Sequence, residues 1–292
     1  MKTLLTALLT VCMSCCALAQ EFPLQLKLRE GQSLLISDKM SIKTTLRAGD
    51  RVITSDKDVL LVSLQKVLLI DTVGNSLIEM KYKRFISLDS GKVTYDSDIQ
   101  SKKEDEEINF LCEKILNKPF TVLISPKGKV LRIDGMKDLA ASVYGKTKSE
   151  LGNIFVADMD DKKMISTVES IYRIFPDSKV KTGDKWDIKI PNESTQSGSY
   201  LSSFSLSSIS SNQARVNNTQ DWEMYDDNYD ANGTKAKMDT RNTANGTYIL
   251  NTKTGIPSSI NLNMKMIGYI EVANTKISTG AILLNKIEIK EL

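Results

Sequence analysis

The chain has 292 residues, no histidine, and a near-balanced charge of 39 Lys and Arg against 36 Asp and Glu, a formal net of +3. Without histidine there is no Ser-His or Cys-His catalysis, no imidazole general base and no ordinary zinc ligand set. Lysines alternate with acids and amides rather than forming a basic stripe with interleaved aromatics, which argues against a nucleic-acid partner.

The first nineteen residues read as an export signal. Lys2 supplies the positive n-region, Leu4 to Val11 the apolar h-region, and Ala17-Leu18-Ala19 the small residues at −3 and −1, so cleavage is expected before Gln20. The apolar run is shorter than the ~20 residues a membrane-spanning helix needs. Lipidation at Cys15 is the competing fate, but Cys12 stands at −3 where a lipobox wants Leu. A soluble periplasmic or secreted protein is therefore expected. Residues 20–292 are read as a single α+β domain with a strand-rich half at 20–135, a helical insert at 136–175 and a second strand-rich half at 176–292. Cys112 is the one cysteine left after the signal, so no disulfide can form within this domain and a core must stabilise it.

Along the chain, strand signals dominate. In "PLQLKLREG" Leu24, Leu26 and Leu28 alternate with polar residues, predicting a half-buried strand. "VLLVSLQKVLLID" and "LIEMKYKRF" predict a strand pair joined through Val73-Gly74-Asn75. "EDEEINFLCEKILN" predicts a helix with an acidic N-terminus and an apolar stripe of Ile108, Leu111, Ile115 and Leu116. Cys112 lies on or beside that stripe as a buried, inert thiol. "FTVLISPKGKVLRIDG" predicts a hairpin in which Pro126 pre-sets the turn and Gly128 takes the left-handed position. "GMKDLAASVYG" and "DMDDKKMISTVESIYRIF" predict two further helices, the second closed by Pro176. Serine-rich "NESTQSGSYLSSFSLSSISSNQ" retains strand character, with polar outer faces. "YDDNYDANGTKAKMDTRNTANG" predicts a long exposed loop. "SINLNMKM" places Ile260, Leu262, Met264 and Met266 on one strand face.

The two strand-rich halves share an internal order. Each opens on a similar stretch, "LREGQSLLIS" and "VKTGDKWDIK". Each closes on a hairpin with a lysine-containing turn that ends on glycine, Gly128 in one and Gly255 in the other. A pseudo-duplicated sheet explains this, and so does generic hairpin chemistry used twice. The expected architecture is a large, curved, mostly antiparallel sheet, a half-open barrel, with two or three helices packed on its concave face.

Motif searches return little chemistry. Asp226, Asn228, Asp230 and Asn232 alternate like a calcium loop, but Ala231 and Lys237 occupy the positions of the turn glycine and the bidentate glutamate, so an acidic loop is expected instead. Ser63 and Lys66 match S-x-x-K inside a strand, where the dyad geometry does not form. No glycine loop for phosphate is present. No catalytic, cofactor or metal residues are assigned, and ligand-binding residues are left open. Trp186 reads as a core anchor.

"IFPDSKVKTGDKW" (Ile174–Trp186) resembles the F-P-x-x-x-V-x-x-G-D-x-W signature of an uncharacterised family of exported Bacteroidota proteins. "SPKGKV" before the helices and "TGIP" near the C-terminus fit the same family pattern. The resemblance implies export and architecture, with no activity. By fold analogy it is similar to lipoprotein-carrier half-barrels. Two functions follow: a non-catalytic envelope protein binding a hydrophobic or lipid-like ligand between sheet and helices, or a structural or interaction module with a filled core. Flexible Met80, Met264 and Met266 favour the first. A carboxylate hydrolase is a distant third. No oligomeric state or cofactor is implied.

Overall fold

Period-two alternation draws most of the chain into strands, and their apolar faces must share one interior. The computed structural model describes residues 21–99, 106–143, 161–191, 199–231 and 234–292. The expected export signal, with Cys15, lies outside them. The described strands are β1 (Ser33–Ala48), β2 (Arg51–Ile70), β3 (Ser76–Asp89), β4 (Lys92–Asp96), β5 (Phe120–Ile124), β6 (Val130–Asp134), β7 (Lys185–Pro191), β8 (Ser199–Ile209), β9 (Gln213–Ala231), β10 (Thr234–Asn251), β11 (Pro257–Val272) and β12 (Thr275–Glu291). Three helices, α1 (Glu106–Ile115), α2 (Met136–Val143) and α3 (Asp161–Tyr172), accompany them.

The strands form one antiparallel, unclosed sheet in the order β6-β5-β3-β2-β1-β12-β11-β10-β9-β8-β7. β4 and β5 share the outer edge of β3, β5 beside Ser76–Met80 and β4 beside Ile86–Asp89. With β4 set aside, the first half steps from β1 at the centre through β2, β3 and β5 to β6 at one edge. The second half steps from β7 at the other edge back to β11, and β12 joins the halves by pairing with β1. The two look-alike hairpins, β5–β6 and β10–β11, are thus the fourth and fifth strands of their runs. Gly128 and Gly255 both take positive φ, +76° and +70°, as their turns require.

The two hairpins also share a partner. The N-terminal segment from Phe22 to Leu28, expected as a strand of the sheet, is an extended strap outside it. Leu26 N–H donates to Pro126 O (2.9 Å) in the first turn and Lys27 N–H to Thr254 O (2.7 Å) in the second, while Phe22 bridges Val180. The leucines alternate because Leu24, Leu26 and Leu28 plug the core. The opposite backbone side meets two loops rather than a neighbouring strand. Periodicity reports which face is buried, and here it could not report what lies alongside.

A second expectation also fails. The segment from Tyr225 to Gly246 is not an exposed loop but the distal hairpin of β9 and β10. Ala236, Met238, Thr240, Asn242 and Ala244 alternate as its buried face. Small and polar residues in those interior positions hid the period from a reading tuned to large apolar ones.

α3 sets the curvature. Tyr172 Oη donates to Gln65 Oε1 on β2 (2.7 Å), and Tyr248 Oη on β10 donates to Ser170 O (3.0 Å). Three strands separate β2 from β10, about 19 Å along a flat sheet at ~4.8 Å per strand. One helix of ~10 Å diameter reaches both only if the sheet bends around it. Below α3 the core is dense, with Ile115, Val122, Ile124, Leu206 and Ile260 fully buried.

The same helix caps both sheet edges. Buried Glu169 accepts Val130 N–H of β6 through Oε1 (3.0 Å) and pairs with Arg173 through Oε2 (2.6 Å); Arg173 in turn donates to Lys189 O of β7 (3.1 Å). Both side chains are largely buried, at 7% and 17% exposure. Glu169→Ala is expected to destabilise the fold by about 3–5 kcal/mol, since it leaves a buried guanidinium and an edge N–H unpaired. Urea midpoints check this, and a change under 1 kcal/mol would show the clasp to be dispensable.

Gly128 tests the seat of α3. A Cβ there would overlap the Tyr172 carbonyl, whereas Gly31, with the same φ of +76°, has open space around it. Gly31→Ala is expected to cost about 1–2 kcal/mol from backbone strain alone, and Gly128→Ala about 3 kcal/mol or more. Equal losses in paired denaturation curves would refute the steric argument.

Candidate half-barrel interior

Register and burial fix which side chains enter the concavity. Leu34 and Ile36 on β1, Ile260 on β11 and Ile287 on β12 belong to the core, so residues at even spacing from them share the interior face. Beyond the packed base that face carries a polar belt on β8, β9 and β10 and a more apolar wall on β1, β11 and β12.

Hydroxyls and amides form the belt in the second half. Asn218 Nδ2 donates to Ser202 Oγ (2.7 Å), and Gln220 Nε2 donates to Ser202 Oγ (2.9 Å) and Asn218 Oδ1 (3.1 Å). Asn242 Nδ2 reaches Thr240 Oγ1 at 3.3 Å. Trp222 stacks on Tyr200 with centroids 4.8 Å apart and planes 18° apart, and its buried Nε1 has no hydrogen-bond acceptor among the described residues. Burial raises the Tyr200 phenol above its usual range. The serine-rich segment was expected to turn polar residues outward. Ser202 is the inward exception, set between Tyr200 and Phe204 on the otherwise aromatic and apolar inner face of β8.

In the centre of the sheet the belt continues as Asp38 on β1 and Asn285 on β12. Asp38 sits between Ile36 and Met40 along its strand and faces Ile287 and Leu61 across it. Asn285 hydrogen-bonds its carboxyl, yet burial outweighs that bond and raises the Asp38 pKa from 3.8 to about 6. Asp38 Oδ1 and Asn285 Oδ1 are both buried and have no partner among the described residues. A sequence reading could have found Asp38, the one acid at an interior position of β1, once the face was fixed.

Beside the belt, on the central strands, the interior positions beyond Asp38 are largely apolar: Met40 and Ile42 on β1, Val59 on β2, Met264 and Met266 on β11 and Leu283 on β12, with Lys57 opposite Ile42. These are half-buried, unlike the base. Of the methionines singled out from sequence, Met264 and Met266 line this wall. Met80 instead lies in the core, with its sulfur against Gln65 Nε2 (3.9 Å).

Two hollows interrupt the surface. One, about 540 Å3, sits between the sheet edges, where Lys129, Lys179, Lys185 and Lys189 face Asp177 and Asp184. The other, about 490 Å3, lies between β1 and β10 and is lined by outer-face Lys39, Asn261 and Lys286 together with Leu262 and Asn285.

The remaining motifs resolve structurally. Asp226 to Asp230 run along β9 rather than around a loop, and Asn232 lies outside the described residues. Among the described residues no cluster of three or more acids or cysteines could hold a metal. Ser63 and Lys66 are three apart on β2 and so face opposite ways. Cys112 is buried, and burial raises its thiol pKa. Trp186 donates Nε1–H to Ile174 O (3.1 Å) and stacks on Phe204. The rest of the signature turns the chain into β7: Pro176 follows α3, Val180 is buried, Gly183 takes φ +95°, and Asp184 Oδ2 accepts Lys181 N–H (2.9 Å). Among the described residues no helix is long and apolar enough to cross a membrane, which leaves strand-crossing proteins unaddressed.

A curved antiparallel sheet clasping helices in its concavity defines the structural class. The chain belongs to the family of unknown function DUF6263, which matches residues 74–257. No curated protein resembles it in sequence. Among solved structures it is similar to lipovitellin, in a structure describing lipid–protein interactions, with a TM-score of 0.53 at 11% identity. The match covers 90% of this chain but only 26% of the lipovitellin chain, so the two share a fold over about a quarter of the larger protein. An outer membrane channel of Pseudomonas putida F1 matches over 91% of this chain and 97% of its own at 8% identity, with a TM-score of only 0.24.

Asp38 gives the fold a testable pH dependence. Its folded pKa, about 6, exceeds the unfolded 3.8, so the native state binds the extra proton and stability falls as pH rises between those values. The loss is complete above pH ~6 and amounts to about 3 kcal/mol. Asp38→Asn is expected to remove this slope and to unfold later than wild type at pH 7, with little difference at pH 4. Parallel stability–pH curves for the two proteins would contradict it.

Proposed function

We propose that the protein is a non-catalytic, exported envelope protein that holds a hydrophobic or lipid-like ligand in the half-barrel. The observation that carries this reading is the upper interior wall. Met40, Ile42, Met264, Met266 and Leu283 share one concave face beyond the packed core and stay half-buried, with Val59 beside them packed against its edge. Apolar side chains that finish outside the core are the usual lining of a ligand cleft, and methionines adapt to tails of different shape. The fold shared with lipovitellin, whose structure describes lipid–protein interactions, supports the same reading. The N-terminal signal pattern supports export, with the mature chain starting at Gln20 and soluble in the periplasm or outside the cell. Intact mass of the protein from its host checks that start.

The dense base beneath α3 favours a second reading, an interaction module whose concavity the helices fill. Native mass spectrometry of protein purified from its host separates the two. Bound lipid of discrete mass is expected, and it is expected to be lost in Met264→Lys/Met266→Lys with less than about 1 kcal/mol change in stability, because these positions lie outside the core. Ligand-free wild type, with no lipid taken up from host membranes, would leave the interaction module standing.

A further inference from the structure

The upper wall alone would suit any apolar tail, but the belt below it is not neutral. Asp38 and Asn285 stand on adjacent strands, β1 and β12, at the floor of that wall. The one hydrogen bond between their side chains leaves Oδ1 of each buried and unpartnered among the described residues. Both orphan atoms are acceptors. A buried acceptor without a donor costs stability, and a buried carboxylate costs more. Ile36, Leu61 and Ile287 beside Asp38 are apolar, and Ser63, diagonal to it on β2, leaves Asp38 Oδ1 without a partner among the described residues. Directly above, Met40 pairs with Asn285 across the strands, and Leu262 faces Asn285 from β11. On the side away from the core the acceptor pair therefore adjoins the apolar wall.

We infer that Asp38 and Asn285 anchor the polar head of an amphiphile whose head carries a protonated amine and whose tail lies along Met40, Met264, Met266 and Leu283. An ammonium has three donors and no acceptor, matching two orphan oxygens and one negative charge. A fatty acid would place a second carboxylate against Asp38, and an alcohol would supply one donor and no charge. This inference rests on the reading of the concavity as a ligand site and names the ligand class.

Three amphiphiles of equal tail length, dodecylamine, dodecanol and dodecanoate, test it by calorimetric titration below their micellar concentrations, on wild type, Asp38→Asn and Asn285→Leu. Wild type is expected to bind the amine at least about tenfold more tightly than the alcohol, the scale of one charge-assisted hydrogen bond, with dodecanoate weakest. Asp38→Asn is expected to bind amine and alcohol alike while keeping its affinity for the alcohol. Asn285→Leu is expected to weaken the amine more than the alcohol. Equal wild-type affinities, or an amine preference that survives Asp38→Asn, would overturn the anchor while leaving the apolar wall as a ligand site. No binding of any of the three would overturn both.

Discussion

The structure depends on how α3 is held between two sheet edges that never meet. A sheet of this size leaves β6 and β7 with unpaired backbone groups, and closing it would require those short strands to pair with each other. Instead Glu169 takes an N–H from β6 and Arg173 gives one to a carbonyl of β7. A charged pair one helical turn apart does the work of a ladder. Its burial would be costly for isolated ions, but each ion spends its remaining hydrogen-bonding capacity on backbone that needs it. Because the clasp fixes α3 laterally, the tyrosine bonds to β2 and β10 can fix it in depth. The curvature follows from those two constraints.

The strap is the complement of that clasp at the base. It joins the β5–β6 turn to the β10–β11 turn, so the repeated hairpins are coupled through one extended segment rather than through each other. Gly255 permits the close approach of Gln25, as Gly128 permits that of Tyr172. Both glycines therefore serve two ends, a left-handed turn and a contact that no side chain could share. The likeness between the hairpins then has a physical reason beyond ancestry. Each must present a bare backbone to something crossing it.

Much of this fold was legible in the residues. The β2–β3 and β5–β6 hairpins, the three helices and the inward row Ile260 to Met266 all announce themselves through periodicity and turn chemistry. What stayed hidden has two causes. The strap alternates like a strand because one face is buried, yet its neighbours lie far away in sequence. The β9–β10 hairpin fills interior positions with Thr240, Asn242 and Ala244, which carry no hydrophobic signal. Asp38 reads as one more charge on a polar face until the register of β1 places it with Leu34 and Ile36. For the strap and Asp38 the local pattern was intact and the partner non-local, whereas in the β9–β10 hairpin the partner was local and the pattern lacked apolar weight.

That non-local placement is what gives the interior its character. A module meant only to be filled would gain from apolar residues throughout the concave face, since each buried acceptor without a donor subtracts from stability. The belt does the reverse. Its Ser202–Asn218–Gln220 group is nearly self-satisfied and costs little, whereas Asp38, Asn285 and Trp222 each keep a buried polar atom without a partner among the described residues. The two acceptors of Asp38 and Asn285 adjoin the half-buried apolar positions of β1, β11 and β12, while the donor of Trp222 lies level with Asn242 and Met266. Neither the clasp nor the strap makes use of these groups, so the interior face keeps polar positions that the packing of α3 does not require.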